Sequence, residues 1–167
     1  MIVLVGFMGA GKTTVGRLLA GRLGRPFVDT DHLVEARAGR RIADVFASDG
    51  EEAFRDLEQA AVAEALAGPE AVVSLGGGAC GRPATRELLA AHTVVHLDVS
   101  LPAVRERTRG DADRPVLRRP GLDALHAARR AVYADVAALT VPTDDRTAAD
   151  VAAEVADRTT HPLVEDA

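Results

Sequence analysis

The sequence predicts an α/β fold, a parallel sheet covered by helices on both faces, and three observations carry that expectation. Short β-branched runs alternate with longer stretches of helical periodicity, the pattern of successive βαβ units. The strand candidates are continuous apolar runs, as expected where a sheet is buried on both faces. A glycine-rich segment, Gly6 to Thr13, stands where the first strand gives way to the first helix.

Taken in order, Ile2, Val3, Leu4 and Val5 form a first strand that closes at Gly6. From Lys12 to Leu23, the apolar Val15, Leu18, Leu19 and Leu23 recur with helical spacing, and Gly24 ends the helix. Phe27 and Val28 make a brief second strand that runs into Asp29-Thr30-Asp31. Ser48 with Glu51 matches a capping box, opening a helix to about Leu66 with Phe54, Leu57, Ala61 and Ala65 on its inner face. Residues 71–75 form a third strand closed by Gly76-Gly77-Gly78, residues 93–97 a fourth and residues 139–141 a fifth. Helical stretches occupy residues 82–91, 101–108, 121–138 and 147–158. Right-handed crossovers are expected throughout. Residues 1–167 read as one domain without repeats or linkers. Within it, 109–121 is charged and carries Pro115 and Pro120, so it is expected to be a mobile loop. Residues 160–167 are expected to fray.

Composition narrows the function. A chain of 167 residues can bury a full core, and 47% hydrophobic with 27% charged residues argues against disorder. The net charge of -5 disfavours a coat for nucleic acid or anionic lipid. Cys80 stands alone, which excludes an intrachain disulfide framework and fits a reducing compartment. No apolar run approaches the length of a membrane span, and the apolar start lacks a basic leader, so the expected location is the cytoplasm. Lys12 is the only lysine among 20 basic residues, and it lies inside the glycine-rich turn.

That turn, Gly6-Phe7-Met8-Gly9-Ala10-Gly11-Lys12-Thr13, fits the P-loop pattern, with a strand before it and a helix after it as the motif requires. Backbone N–H groups from Gly9 to Thr14 can converge on phosphate oxygens, assisted by the helix dipole. Lys12 can reach the β- and γ-phosphates, and the Thr13 hydroxyl can bind Mg²⁺. No Asn-Lys-x-Asp guanine signature occurs, which disfavours a GTPase.

Asp29 and Asp31 follow the second strand, at the carboxyl edge where open α/β sheets bind ligands. In an extended segment the two carboxylates point the same way. One could stand near Mg²⁺ while the other accepts a hydrogen bond from an attacking hydroxyl; alternatively, Asp31 caps the next helix. Arg55, three residues before Glu58, either forms a surface ion pair with it or is held by it as a fork for a substrate carboxylate. Gly76, Gly77 and Gly78 at a strand end suggest a ligand against backbone. Cys80 reads as a small packed residue, since no paired base is evident.

These residues together resemble the shikimate kinase family. The resemblance rests on Gly6 to Arg17, Asp29-Thr30-Asp31, Ile42-Ala43-Asp44-Val45-Phe46, Gly50-Glu51 and Phe54-Arg55 with Glu58. It continues through Ser74-Leu75-Gly76-Gly77-Gly78-Ala79 and Arg114-Pro115, and runs to about Arg146. It implies a three-layer α/β/α P-loop kinase fold with sheet order 2-3-1-4-5 and a lid, and transfer of the γ-phosphoryl of ATP to the 3-hydroxyl of shikimate, with Mg²⁺. It implies that Lys12, Asp31 and Arg114 are catalytic, and that Asp31, Arg55 and Gly76 to Gly78 meet shikimate. Thr13 would bind Mg²⁺, with Asp29 acting through water. Arg107 and Arg146 would lie near the adenine. The second carboxylate-binding arginine precedes a Pro-Leu-Tyr in the family; counting back from Tyr133 selects Arg129, while the missing proline leaves Arg130 as a rival. The expected partners are shikimate and ATP, with neither nucleic acid nor membrane, and the expected state is a monomer. A sugar-acid kinase of the same fold, such as gluconate kinase, and a non-catalytic nucleotide-binding module are the competing readings.

Overall fold

A computed structural model describes residues 1–109 and 121–160 of the chain. Its strands are β1 (Ile2–Val5), β2 (Phe27–Asp29), β3 (Val72–Ser74), β4 (Thr93–Asp98) and β5 (Leu139–Pro142). They form one parallel sheet in the order β2-β3-β1-β4-β5. β1 is its centre, with Leu4 in register with Ser74 on one side and Val95 on the other. Val3, Leu4, Val72, Val73 and Val95 are fully buried, as the continuous apolar runs require.

The helices are α1 (Lys12–Leu23), α2 (Thr30–Ala38), α3 (Ile42–Ala67), α4 (Pro83–Leu89), α5 (Leu101–Arg107), α6 (Leu122–Val136) and α7 (Ala148–Thr160). Strand alternation shows which face each covers. Leu4 faces α1, since a side chain on Gly16 would come within 3.2 Å of it. The next residue, Val5, is in register with His96 on the opposite face, where Tyr133 of α6 meets the His96 ring at 5.3 Å between centroids. Helices therefore cover both faces, with α1 and α7 packed together on the first.

Two local expectations are corrected. Asp29-Thr30-Asp31 is extended only up to Asp29. The chain turns there into α2, which Asp29 caps, because a carboxylate at a strand end can satisfy an orphan helix N–H. The Ser48 capping box does not form either. Ser48 lies inside α3, where its hydroxyl donates to the Asp44 carbonyl at 2.8 Å, the back-bond typical of a mid-helix serine. The actual break is at Gly50, whose φ of 86° and ψ of 175° only glycine adopts without strain. A small second core of Val34, Val45, Phe54 and Ala61 ties α2 to α3 across this kink. The expected lid, apart from its ends Arg109 and Gly121, lies outside the described residues, as does the tail beyond Thr160.

Candidate active site

The P-loop spans the carboxyl end of β1 and the start of α1, with Gly11 as the helix N-cap. Lys12 folds back so that its ammonium donates to the Gly6 carbonyl at 2.8 Å and the Phe7 carbonyl at 3.2 Å, which holds the charge over the loop. The Thr13 hydroxyl donates to Asp29 Oδ2 at 2.8 Å, joining the loop to the end of β2. Asp29 Oδ1 accepts the Asp31 N–H at 3.1 Å. Asp29 is thus the cap of α2, and the capping role considered for Asp31 is taken by its neighbour. The hydroxyl and carboxylate at Thr13 and Asp29 suit Mg²⁺, a hard ion that shares its shell with water and phosphate and needs only one or two protein oxygens. Among the described residues, no cluster of three or more acidic, histidine or cysteine side chains offers a closed metal cage.

Across the sheet edge, the three glycines after β3 lie against charged side chains. A Cβ on Gly76 would stand 2.6 Å from both Asp31 Oδ1 and Glu58 Oε1, and one on Gly78 would overlap the Arg55 guanidinium. Only glycine lets these three groups close on the loop. Thr30 fixes the loop from below: buried, it donates to the Ser74 carbonyl at 3.2 Å and accepts the Gly76 N–H at 3.1 Å.

Arg55 and Glu58 are not a surface pair. Glu58 is 3% exposed and accepts from Arg55 at 2.5 Å, while the guanidinium also lies 5.1 Å from the Phe54 ring centre. Burial pushes the Glu58 carboxyl above its ordinary range, against the opposing pull of Arg55. α6 separates its two arginines by the roughly 100° that one residue turns in a helix. Arg129 lies over the Phe7 ring at 5.6 Å and 3.9 Å from a Cβ placed on Gly77. Arg130 points elsewhere, into an exposed two-point pair with Asp98 at 2.8 and 2.5 Å.

Arg107 donates to the Gly9 carbonyl at 3.2 Å and to Thr143 through both terminal nitrogens, tying the P-loop to the turn after β5. Arg146 pairs with Glu154 at 2.7 Å. The two arginines line one shallow groove of about 430 Å³ with Glu106, Asp145 and Thr147. Cys80 is buried, and burial, with the Glu58 charge, pushes its thiol up to about 12, which suits packing and not nucleophilic work. Arg114 lies outside the described residues.

Sequence reasoning missed several residues that build this site. Thr30, between the two aspartates, went unread. His126 accompanies Arg129 and meets Phe7 edge-on at 5.0 Å. Tyr133 served only to set a register. The spacing 126, 129, 133 marks one helical face, a signal available beforehand.

Fold and site define a P-loop phosphotransferase, with the P-loop on one side and Asp31, Glu58, Arg55 and Arg129 gathered about the three glycines on the other. The family model for shikimate kinase matches residues 8–160. The shikimate kinase of Symbiobacterium thermophilum is 51% identical, with 94% of each chain covered. That of Thermobifida fusca is 48% identical over 93% of this chain and 92% of its own. Shikimate kinase from Acinetobacter baumannii, solved in complex with shikimate, superposes with a TM-score of 0.92 at 36% identity, covering 98% of this chain and 94% of that one. The chain belongs to the shikimate kinase family of ATP-dependent P-loop kinases, which serve aromatic amino acid biosynthesis.

Proposed function

We propose that the chain transfers the γ-phosphoryl group of ATP to the 3-hydroxyl of shikimate, giving shikimate 3-phosphate and ADP. The observation that carries this reading is the convergence of Arg55 from α3 and Arg129 from α6 on the Gly76–Gly78 loop, beside Asp31 and the P-loop. Two planar guanidiniums suit a carboxylate, and an adjacent Asp suits a hydroxyl, so the cradle fits a hydroxylated acid.

On this reading Gly9, Ala10, Gly11, Lys12, Thr13 and Thr14 hold the ATP phosphates. Arg107 and Arg146, which share one groove beside Gly9, flank the base. Asp31 accepts a hydrogen bond from the attacking hydroxyl and then its proton, as the hydroxyl oxygen bonds to the γ-phosphorus and the bond from that phosphorus to the β,γ-bridging oxygen breaks, releasing ADP. Lys12 stabilises the charge that spreads over the transferring group, and Arg114 closes on it from a lid at 109–121. Thr13, with Asp29 through water, would hold Mg²⁺, which neutralises phosphate charge when bound. We read the chain as one cytoplasmic domain that acts as a monomer; no described helix is long and apolar enough to cross a membrane.

Coupled ADP release with shikimate, with gluconate and with no acceptor tests the assignment. Shikimate alone should drive steady-state release. Release driven by gluconate would move the chain to the sugar-acid kinases, and ATP binding without acceptor-dependent release would make it a nucleotide-binding module.

A further inference from the structure

Tyr133 is the chain's only tyrosine, and the chain has no tryptophan. The residue is 2% exposed, packs on His96, and its hydroxyl donates to the Gly77 carbonyl. Tyr133 follows Arg129 by four residues on α6, so the two side chains share a helix face. Both reach the same short piece of backbone. Gly77 lies between the P-loop and Arg129: the Gly6 carbonyl oxygen and the Met8 nitrogen are each 3.7 Å from a Cβ placed on it. The next residue, Gly78, lies against Arg55. The Gly77–Gly78 peptide is therefore the strip of chain between the α3 arginine and the α6 arginine.

Two glycines have no side chains to pack, so packing alone cannot hold the plane of the peptide between them. Among the described residues, the N–H groups of Gly77 and Gly78 donate to no protein acceptor. In a planar trans peptide the Gly78 N–H points opposite to the Gly77 carbonyl, so whatever fixes the carbonyl also fixes that donor. On the reading that the acceptor is shikimate, we propose that Tyr133 is a positioning residue: by holding the Gly77 carbonyl it presents the Gly78 N–H to the substrate between Arg55 and Arg129.

Tyr133→Phe keeps the ring and its packing and deletes only the hydroxyl. The KM for shikimate should rise about tenfold, the effect of one misaligned hydrogen bond, while the KM for ATP stays within about twofold. Val155→Ala, which opens the core at α7 far from the loop, should lower Tm and leave both KM values at the parental level. A Tyr133→Phe enzyme with the parental shikimate KM overturns the positioning role, whether or not its Tm falls. A parent enzyme that releases no ADP with shikimate overturns the functional reading itself, and does so before any variant is made. Should Tyr133→Phe fail to fold, the parent still answers, because its tyrosine fluorescence comes from Tyr133 alone. Shikimate should change that emission saturably at the concentrations that saturate activity. Emission indifferent to saturating shikimate overturns the proposal.

Discussion

Asp29 divides two tasks between its two oxygens, one capping α2 and the other holding Thr13, so the cap does not rest on the Asp31 side chain. Asp31→Asn should therefore lower turnover about a hundredfold or more while Tm stays at the parental value, since the cap does not depend on it. A fall in Tm with turnover intact would return Asp31 to a structural role. The arginines of α6 give a second contrast. Arg129→Lys keeps charge and loses the planar fork, so the KM for shikimate should rise about tenfold. Arg130→Lys touches only the exposed pair with Asp98 and should change neither KM nor turnover; the reverse outcome would exchange the two roles. Glu58 makes a prediction in pH. Its carboxyl is raised by burial, so between its unfolded and folded pKa values the folded chain binds more protons than the unfolded one. Stability from that group is complete below the unfolded value and is lost as pH rises through the folded one. Glu58→Gln lacks this titration, so its Tm relative to the parent should climb as pH rises from the ordinary glutamate value through the raised one. A difference that stays flat across that range would contradict the raised carboxyl.

At the scale of elements, the glycine loop after β3 is where three others meet. α2 reaches it through Thr30, α3 through Glu58 and Arg55, and α6 through Tyr133 and Arg129. Gly76 and Gly81, at either end of this stretch, have different surroundings, so their substitutions should not behave alike. Gly76→Ala pushes a methyl between the Asp31 and Glu58 carboxylates and should cost about 1–3 kcal/mol, with loss of acceptor affinity, measured by Tm and by the KM for shikimate. Gly81→Ala, at the end of the short 3₁₀ turn Ala79–Gly81, meets nothing within 4 Å and should stay within about 0.5 kcal/mol of the parent. Equal effects of the two would mean that the loop tolerates side chains and that its closeness to the carboxylates is incidental.

For the whole molecule, the parallel sheet brings the P-loop, the Asp29 turn and the glycine loop to one edge, because β1, β2 and β3 are neighbours that all end there. Among the described residues, the only large apolar side chains left exposed are Leu18 and Leu88. A stable subunit interface buries on the order of 800 Å² per partner, and the proposed monomer agrees with so little exposed apolar surface among these residues. Sedimentation at micromolar concentration should give a single species of 17.5 kDa, and one of twice that mass would disprove the monomer.

Sequence alone pointed to the strands, the P-loop, the resemblance that carries the sheet order, and most of the charged residues that the fold gathers around the glycine loop. These are legible because a buried parallel strand is a continuous apolar run and a phosphate loop needs glycines at set positions between strand and helix. Tertiary structure decided what spacing leaves open. Whether Asp29 or Asp31 caps α2 depends on where β2 stops, which its pairing with Val72, Val73 and Ser74 of β3 sets. Whether Arg55 and Glu58 are a surface pair or a buried one depends on the loop that covers them, a neighbour distant in sequence. Which of Arg129 and Arg130 faces the glycine loop depends on how α6 rotates on β4, with Tyr133 docked on the Gly77 carbonyl and Arg130 drawn to Asp98. Local pattern records the period of a helix or strand, but its rotation and its partners follow from packing across the sheet.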